Sequence, residues 1–212
     1  MMASNGDRSR LESEIYDNVR RYREAAAPIL SDLASVGFDV GSIAELARSK
    51  VNYRQAVPVL LRWLPNVDYR PLKYDILGAL CVRFARPKAA PVLVDEFQRA
   101  PDWRLKWAIG SALSHVASDD VFDAIVQLVR DKRHGRGREM LAVALGNMKN
   151  PKAVAVLVEL LDDDEVAGHA LMALGKLRAK TARGEIERFL GHPKAWVRKE
   201  AKRALAKIDR AA

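Results

Sequence analysis

Apolar residues recur every three or four positions along most of this chain. From Ile15 to Leu33 the apolar positions Ile15, Val19, Tyr22, Ala26, Ile29 and Leu33 are spaced four, three, four, three, four, with charged residues between them. That period traces one face of an α-helix, and it predicts a helix from about Leu11 to Val36. Gly37 follows as the residue that tolerates the left-handed turn ending a helix. Pro28, inside the pattern, is expected to kink or divide it, because proline has no amide hydrogen to donate. Ser42 and Glu45 have capping-box spacing ahead of Ile43, Leu46 and Ala47, so a short second helix is predicted there. Runs that alternate with period two are scarce, which argues against a sheet.

Beyond residue 50 the pattern repeats. LKYDILGAL ending at Leu80, LKWAIGSAL at Leu113, GREMLAVAL at Leu145, VAGHALMAL at Leu174 and VRKEAKRAL at Leu205 share a terminal Ala-Leu pair. The pairs lie 33, 32, 29 and 31 residues apart. An earlier helix precedes each: AVPVLLRWL from Ala56, AAPVLVDEF from Ala89, VFDAIVQLV from Val121, AVAVLVELL from Ala153 and ARGEIERFL from Ala182. A period near 30 accommodates two helices of about ten residues and two short turns. Alanine at the pair lets neighbouring helices approach, and leucine fills the layer between units. One hairpin cannot bury its apolar face; stacked hairpins can. The prediction is an all-α stack of about five hairpins over 51–212, with residues 9–50 as an N-terminal helical cap and residues 1–8 as a frayed tail. A plain helical bundle would not require five registers to hold the same pair.

Composition adds limits. Hydrophobic residues make up 49% of the 212, enough for a continuous core, and Cys81 is the only cysteine. One thiol rules out a disulfide framework within the chain and suits a reducing compartment, so a cytoplasmic location is expected. No run of about 18 apolar residues is present, so no membrane partner is expected. The net charge of +9 is uneven: from Lys176 onward 12 Lys and Arg stand against 4 Asp and Glu, whereas the preceding residues hold 24 against 23. Such a basic end can meet an anionic partner or simply solubilise a terminal repeat.

The repeated motif resembles the HEAT-like repeats of the phycobilisome-lyase type. The resemblance is carried by Arg138 to Met148 with Pro151 and Leu157, by Val166 to Leu177, and by Val197 to Ile208. It implies an α-α superhelix, a curved right-handed solenoid whose second helices line the concave side, and a binding or scaffold role more often than an enzymatic one. It also implies a cation early in each second helix, tied to an aspartate of the preceding turn. Those slots hold Lys73, Lys106, Arg138, Ala167 and Arg198, with Asp68, Asp102 and Asp131 as candidate partners. Ala167 breaks the series.

Candidate chemistry is sparse. On the face of second helices the expected partner-binding row is Lys73, Tyr74, Lys106, Trp107, Arg138, Glu139, Arg198 and Lys199; cations beside aromatics suit an acidic peptide or a phosphate backbone. The competing expectation is that these cations bond only within their own repeats. Trp103 and Trp107, four apart beside Asp102, resemble the aromatics and acid of HEAT-like alkylpurine DNA glycosylases, although Asp102 sits where a helix N-cap belongs. Lys132, Arg133, His134, Arg136 and Arg138 crowd one turn, and Asp162 to Glu165 the next. His115, His134, His169 and His192 fall in different units without metal-ligand spacing. No catalytic residue, cofactor or metal site is therefore read. The expectation is a non-enzymatic module for a protein or peptide of acidic character, with nucleic acid as the alternative and a DNA glycosylase or chromophore-lyase-like enzyme as a distant third; the sequence does not set the oligomeric state.

Overall fold

The structure, a computed structural model, describes residues 5–210. Among them every regular element is helical, and the chain divides into two compact units, Met1–Ala79 and Leu80–Ala212. Of the tail expected at 1–8, residues 1–4 lie outside the described residues and the remainder belong to the first helix.

In the first unit, α1 (Asn5–Ser35) is followed by α2 (Ile43–Arg48), α3 (Val57–Trp63) and α4 (Arg70–Leu80, whose last residue lies past the unit boundary). Pro28 neither ends nor divides α1. It lies on the exposed side, where water can satisfy the carbonyl its missing amide would have bonded. Gly37, at φ +92°, closes the helix: its amide bonds Ala34 O at 3.0 Å and that of Phe38 bonds Leu33 O at 2.9 Å, a Schellman stop. Ser42 caps α2 by accepting from the Glu45 amide at 3.1 Å, and Glu45 reaches back to the Gly41 amide at 2.8 Å. Ala26, Ile29, Leu33, Ile43, Leu46, Leu60, Leu72 and Ile76 form the buried interior. Asp32 of α1 accepts from Arg62 and from the Trp63 indole of α3, at 2.6 and 2.7 Å.

The second unit holds four hairpins. Their first helices are α5 (Ala89–Arg99), α7 (Phe122–Arg130), α9 (Ala153–Glu159) and α11 (Arg183–Glu187); their second helices are α6 (Trp103–Val116), α8 (Glu139–Leu145), α10 (Ala167–Leu177) and α12 (Ala195–Asp209). Each second helix packs on its own first helix and on the next second helix, so α6, α8, α10 and α12 run as neighbours in chain order. Every residue of the five Ala-Leu pairs is buried. Backbones approach closely where glycine follows the pair. A β-carbon added to Gly146 would lie 2.7 Å from Ala173 Cβ, and one added to Gly175 would lie 2.6 Å from Ala204 Cα. Small residues at both sides of the seam thus set the spacing of the second helices.

Candidate functional site

The cations at the start of the second helices turn inward. Lys106 Nζ donates to Phe97 O at 2.7 Å, Arg138 Nη1 donates to Val129 O at 3.2 Å, and Arg198 Nη1 donates to His192 O at 2.7 Å and to Pro193 O at 2.9 Å. Each satisfies carbonyls left open at or just beyond the end of its own hairpin's first helical segment, where a cation also meets the negative end of the helix dipole. Burial lowers the Lys106 ammonium pKa, with Asp131 and Asp102 opposing the shift. Arg138 is 1% exposed and further reaches into the following turn, to Asp163 Oδ2 and Glu165 Oε2 at 2.7 Å each. Burial disfavours its charge, but the two carboxylates outweigh burial and its pKa rises. The expected partner of Arg138 in its own preceding turn, Asp131, bonds Arg133 instead, at 2.7 Å. The carboxylates that Arg138 does bond belong to the next unit, while its own unit supplies the carbonyls of Val129 and Gly135.

Of the other expected residues, Trp107 and Glu139 come together: the indole Nε1 donates to Glu139 Oε2 at 3.0 Å, while Arg136 Nε donates to Oε1 at 3.0 Å. Trp107 stays exposed, as does Trp103, whose ring lies about 5 Å from the guanidinium carbons of both Arg104 and Arg136. His169 stands 3.9 Å from Glu139 and 5.6 Å, ring to ring, from the exposed Trp196. Burial lowers the His169 pKa more than Glu139 raises it. Trp196 covers Gly168, leaving no room there for a β-carbon, beside the Ala167 that interrupts the cation series. Lys199 is exposed on α12; Lys73 and Tyr74 are half-buried on α4, in the first unit. Asp102 caps α6, accepting from the Arg104 and Leu105 amides at 2.9 and 3.1 Å.

A different set of residues forms the concave features. One groove of about 450 Å³ is lined by Val143, Met172, Ala173, Lys176, Glu200, Arg203, Ala206, Lys207 and Arg210. A second, of about 510 Å³, includes Arg83, Arg86, His115, Met140, Val143, Asn147, Met148 and Lys176. The two share Val143 and Lys176, so they form one trough across α8, α10 and α12. Its floor is methionine, valine and alanine; its rim is cationic. Among the described residues the only carboxylate on it, Glu200, is engaged by Arg203 at 2.6 Å. Lys176 donates to the neutral Asn147 side chain, and Arg86 to His115 O at 3.0 Å. Reading the chain unit by unit missed this trough, because it joins the C-terminal halves of successive second helices. The basic excess after Lys176 was its one visible trace.

The architecture is that of the α-α repeat proteins, an all-α superhelix of stacked hairpins. Residues 90–168 match HEAT repeats. The match is to HEAT repeats in general. A crystallised engineered protein has a similar fold, at 19% identity and a TM-score of 0.52, covering 86% of this chain and 97% of its own. A designed armadillo repeat protein aligns at 16% identity and a TM-score of 0.48, over 78% of this chain and 98% of its own. No curated protein matches the chain. Repeat folds of this class commonly serve as protein-interaction scaffolds, and no described helix is long and apolar enough to cross a membrane.

Proposed function

We propose that this chain is a non-enzymatic, cytoplasmic protein-interaction module, and that an acidic segment of its partner lies along the trough of the second unit. The observation that carries this reading is the pairing of an apolar floor with a cationic rim on which the one carboxylate among the described residues is already engaged. Such a surface suits an acidic segment that carries apolar side chains, since floor and rim then act together. A lone thiol supports the cytoplasmic assignment. Against an enzyme stands the one hydroxyl beside an imidazole in the trough: Ser114 is buried and donates to Ser111 O at 2.7 Å, and no carboxylate orients His115. Residues 9–50 would cap the array formed by 51–212. Lys106, Arg138 and Arg198 would serve by holding the second helices in place. Trp107, Glu139 and Lys199 would form the adjoining contact face, and Lys73 and Tyr74 would belong to a contact face of the first unit.

The test is fluorescence anisotropy with a labelled peptide of alternating glutamate and leucine, alongside duplex and single-stranded DNA, over a salt series. Acidic-peptide binding should fall about tenfold or more in the variant Lys176→Glu with Lys207→Glu, given 1.4 kcal/mol per decade and two reversed contacts. The basic end from Lys176 favours a second reading, nucleic-acid binding. In that case DNA would bind more tightly than peptide, with affinity falling steeply as salt rises. No binding of either at low salt would dispose of the trough as a docking surface.

A further inference from the structure

One half of the trough carries charge that nothing within it balances. On the rim of the groove of about 510 Å³ stand Arg83, Arg86 and Lys176, and no carboxylate lines that groove among the described residues. Arg86 Nε donates to His115 O at 3.0 Å, which sets the plane of the guanidinium and leaves its two terminal nitrogens without a partner among the described residues. Arg83 shares that turn, with the Arg86 amide bonded to Arg83 O at 3.2 Å; its side chain is exposed and has no partner among the described residues. Lys176 is held by the side-chain oxygen of Asn147, which in turn donates to Ser114 O. What holds Arg86 and Lys176 is therefore neutral, a carbonyl and an amide, and the positive charge of the groove stays available to a ligand.

We infer that this groove holds the phosphate of a phosphorylated serine or threonine in the partner's segment, an inference that rests on the trough being the docking surface proposed above. A carboxylate brings one negative charge and two oxygens. A phosphomonoester brings about 1.5 to 2 negative charges near neutral pH and three acceptor oxygens, the better match to three cations around one groove. A guanidinium whose plane is already set can give both terminal nitrogens to two phosphate oxygens with little further ordering. The floor selects a peptide as the carrier of that phosphate over a nucleic-acid strand. Met140, Val143 and Met148 offer adaptable apolar contact to the side chains that flank the phosphorylated residue. No phenylalanine, tyrosine or tryptophan lines the groove among the described residues, so a base would have no such ring to stack on.

Fluorescence anisotropy of the full chain with three labelled peptides tests this. All three share one alternating glutamate-leucine sequence, with serine, glutamate or phosphoserine at the centre. The phosphoserine form should bind about tenfold more tightly than the glutamate form, for one or two added charge-assisted bonds. Arg83→Gln alone should reduce that ratio, and Arg83→Gln with Arg86→Gln should bring it close to one, with helicity checked by circular dichroism. Lys207→Gln with Arg210→Gln, in the other groove of the trough, removes the same charge and should weaken both forms alike, leaving the ratio as it was. Equal binding of the phosphoserine and glutamate forms overturns the inference and leaves the acidic-segment reading standing; no binding of any of the three overturns both. A ratio untouched by loss of Arg83 and Arg86, or one that falls as far in the Lys207 and Arg210 variant, also overturns it. So does single-stranded DNA that displaces the phosphoserine peptide at a lower concentration than the unlabelled peptide does.

Discussion

Arg138 and Asp163 meet across the seam between successive hairpins, Nη1 to Oδ2 at 2.7 Å, with the arginine almost fully excluded from solvent. The same guanidinium bonds Val129 O behind it, so one side chain closes a helix end in its own unit and fastens the next.

Replacing Arg138 by methionine should therefore destabilise the protein by about 3 kcal/mol, because it strands buried acceptors and a partly buried carboxylate. Urea denaturation measures this. Glu165, half-exposed at its bond to Arg138, should matter little when changed to glutamine, as solvent screens that contact. A double-mutant cycle of Arg138→Met with Asp163→Asn should show strong non-additivity.

Lys106→Met removes the ammonium that donates to Phe97 O and Gln98 O and lies 5.1 Å from the centre of the Phe97 ring. The expected loss is about 1 kcal/mol, smaller than at Arg138, because the two acceptors left open are neutral carbonyls and no salt bridge is broken. Thermal unfolding of the two variants side by side gives the ranking.

The seam glycines predict a contrast. Gly146→Ala and Gly175→Ala should each cost about 1–3 kcal/mol by forcing α8 from α10 and α10 from α12. Gly184→Ala, in α11 with nothing near the added carbon, should be neutral or stabilising by up to about 1 kcal/mol. Midpoints of denaturation decide it.

Stability should decline as pH falls below about 6.5, the ordinary imidazole value. Burial holds His169 and His134 below that value in the folded chain. As pH falls, the unfolded chain takes up these protons first, so protonation favours unfolding. His169→Asn should flatten the slope of stability between pH 7 and 5 in a denaturation series.

Trp107 and Trp196 offer a spectroscopic check. Glu139→Gln removes the charge that holds Arg136 beside the Trp107 indole. Tryptophan emission should shift, while stability falls by no more than about 1 kcal/mol, because Trp107 and Arg136 are exposed and solvent screens the contact.

The hairpins, their order and the buried Ala-Leu layers were legible because they are local instructions. A three-four period makes a helix, and glycine or a capping pair ends or starts it, whatever lies elsewhere. The site was legible only in part. The expectation that the cations of the second helices bond only within their own repeats describes Lys106 and Arg198, whereas Arg138 also reaches Asp163 and Glu165 of the next unit. Their exact partners were not readable. Arg138 bonds residues 25 and 27 positions later, where family habit pointed to a preceding aspartate. Likewise the engagement of Asn147 by Lys176 spans 29 residues.

The amino-acid order thus determined that this chain is a succession of helical pairs with small residues at a fixed register, since helix period and turn chemistry act over a few residues. Only the tertiary structure decided which cations are consumed as helix-end caps and which line an open trough. That choice depends on distances between side chains about one repeat apart, and a one-dimensional pattern carries no information about them.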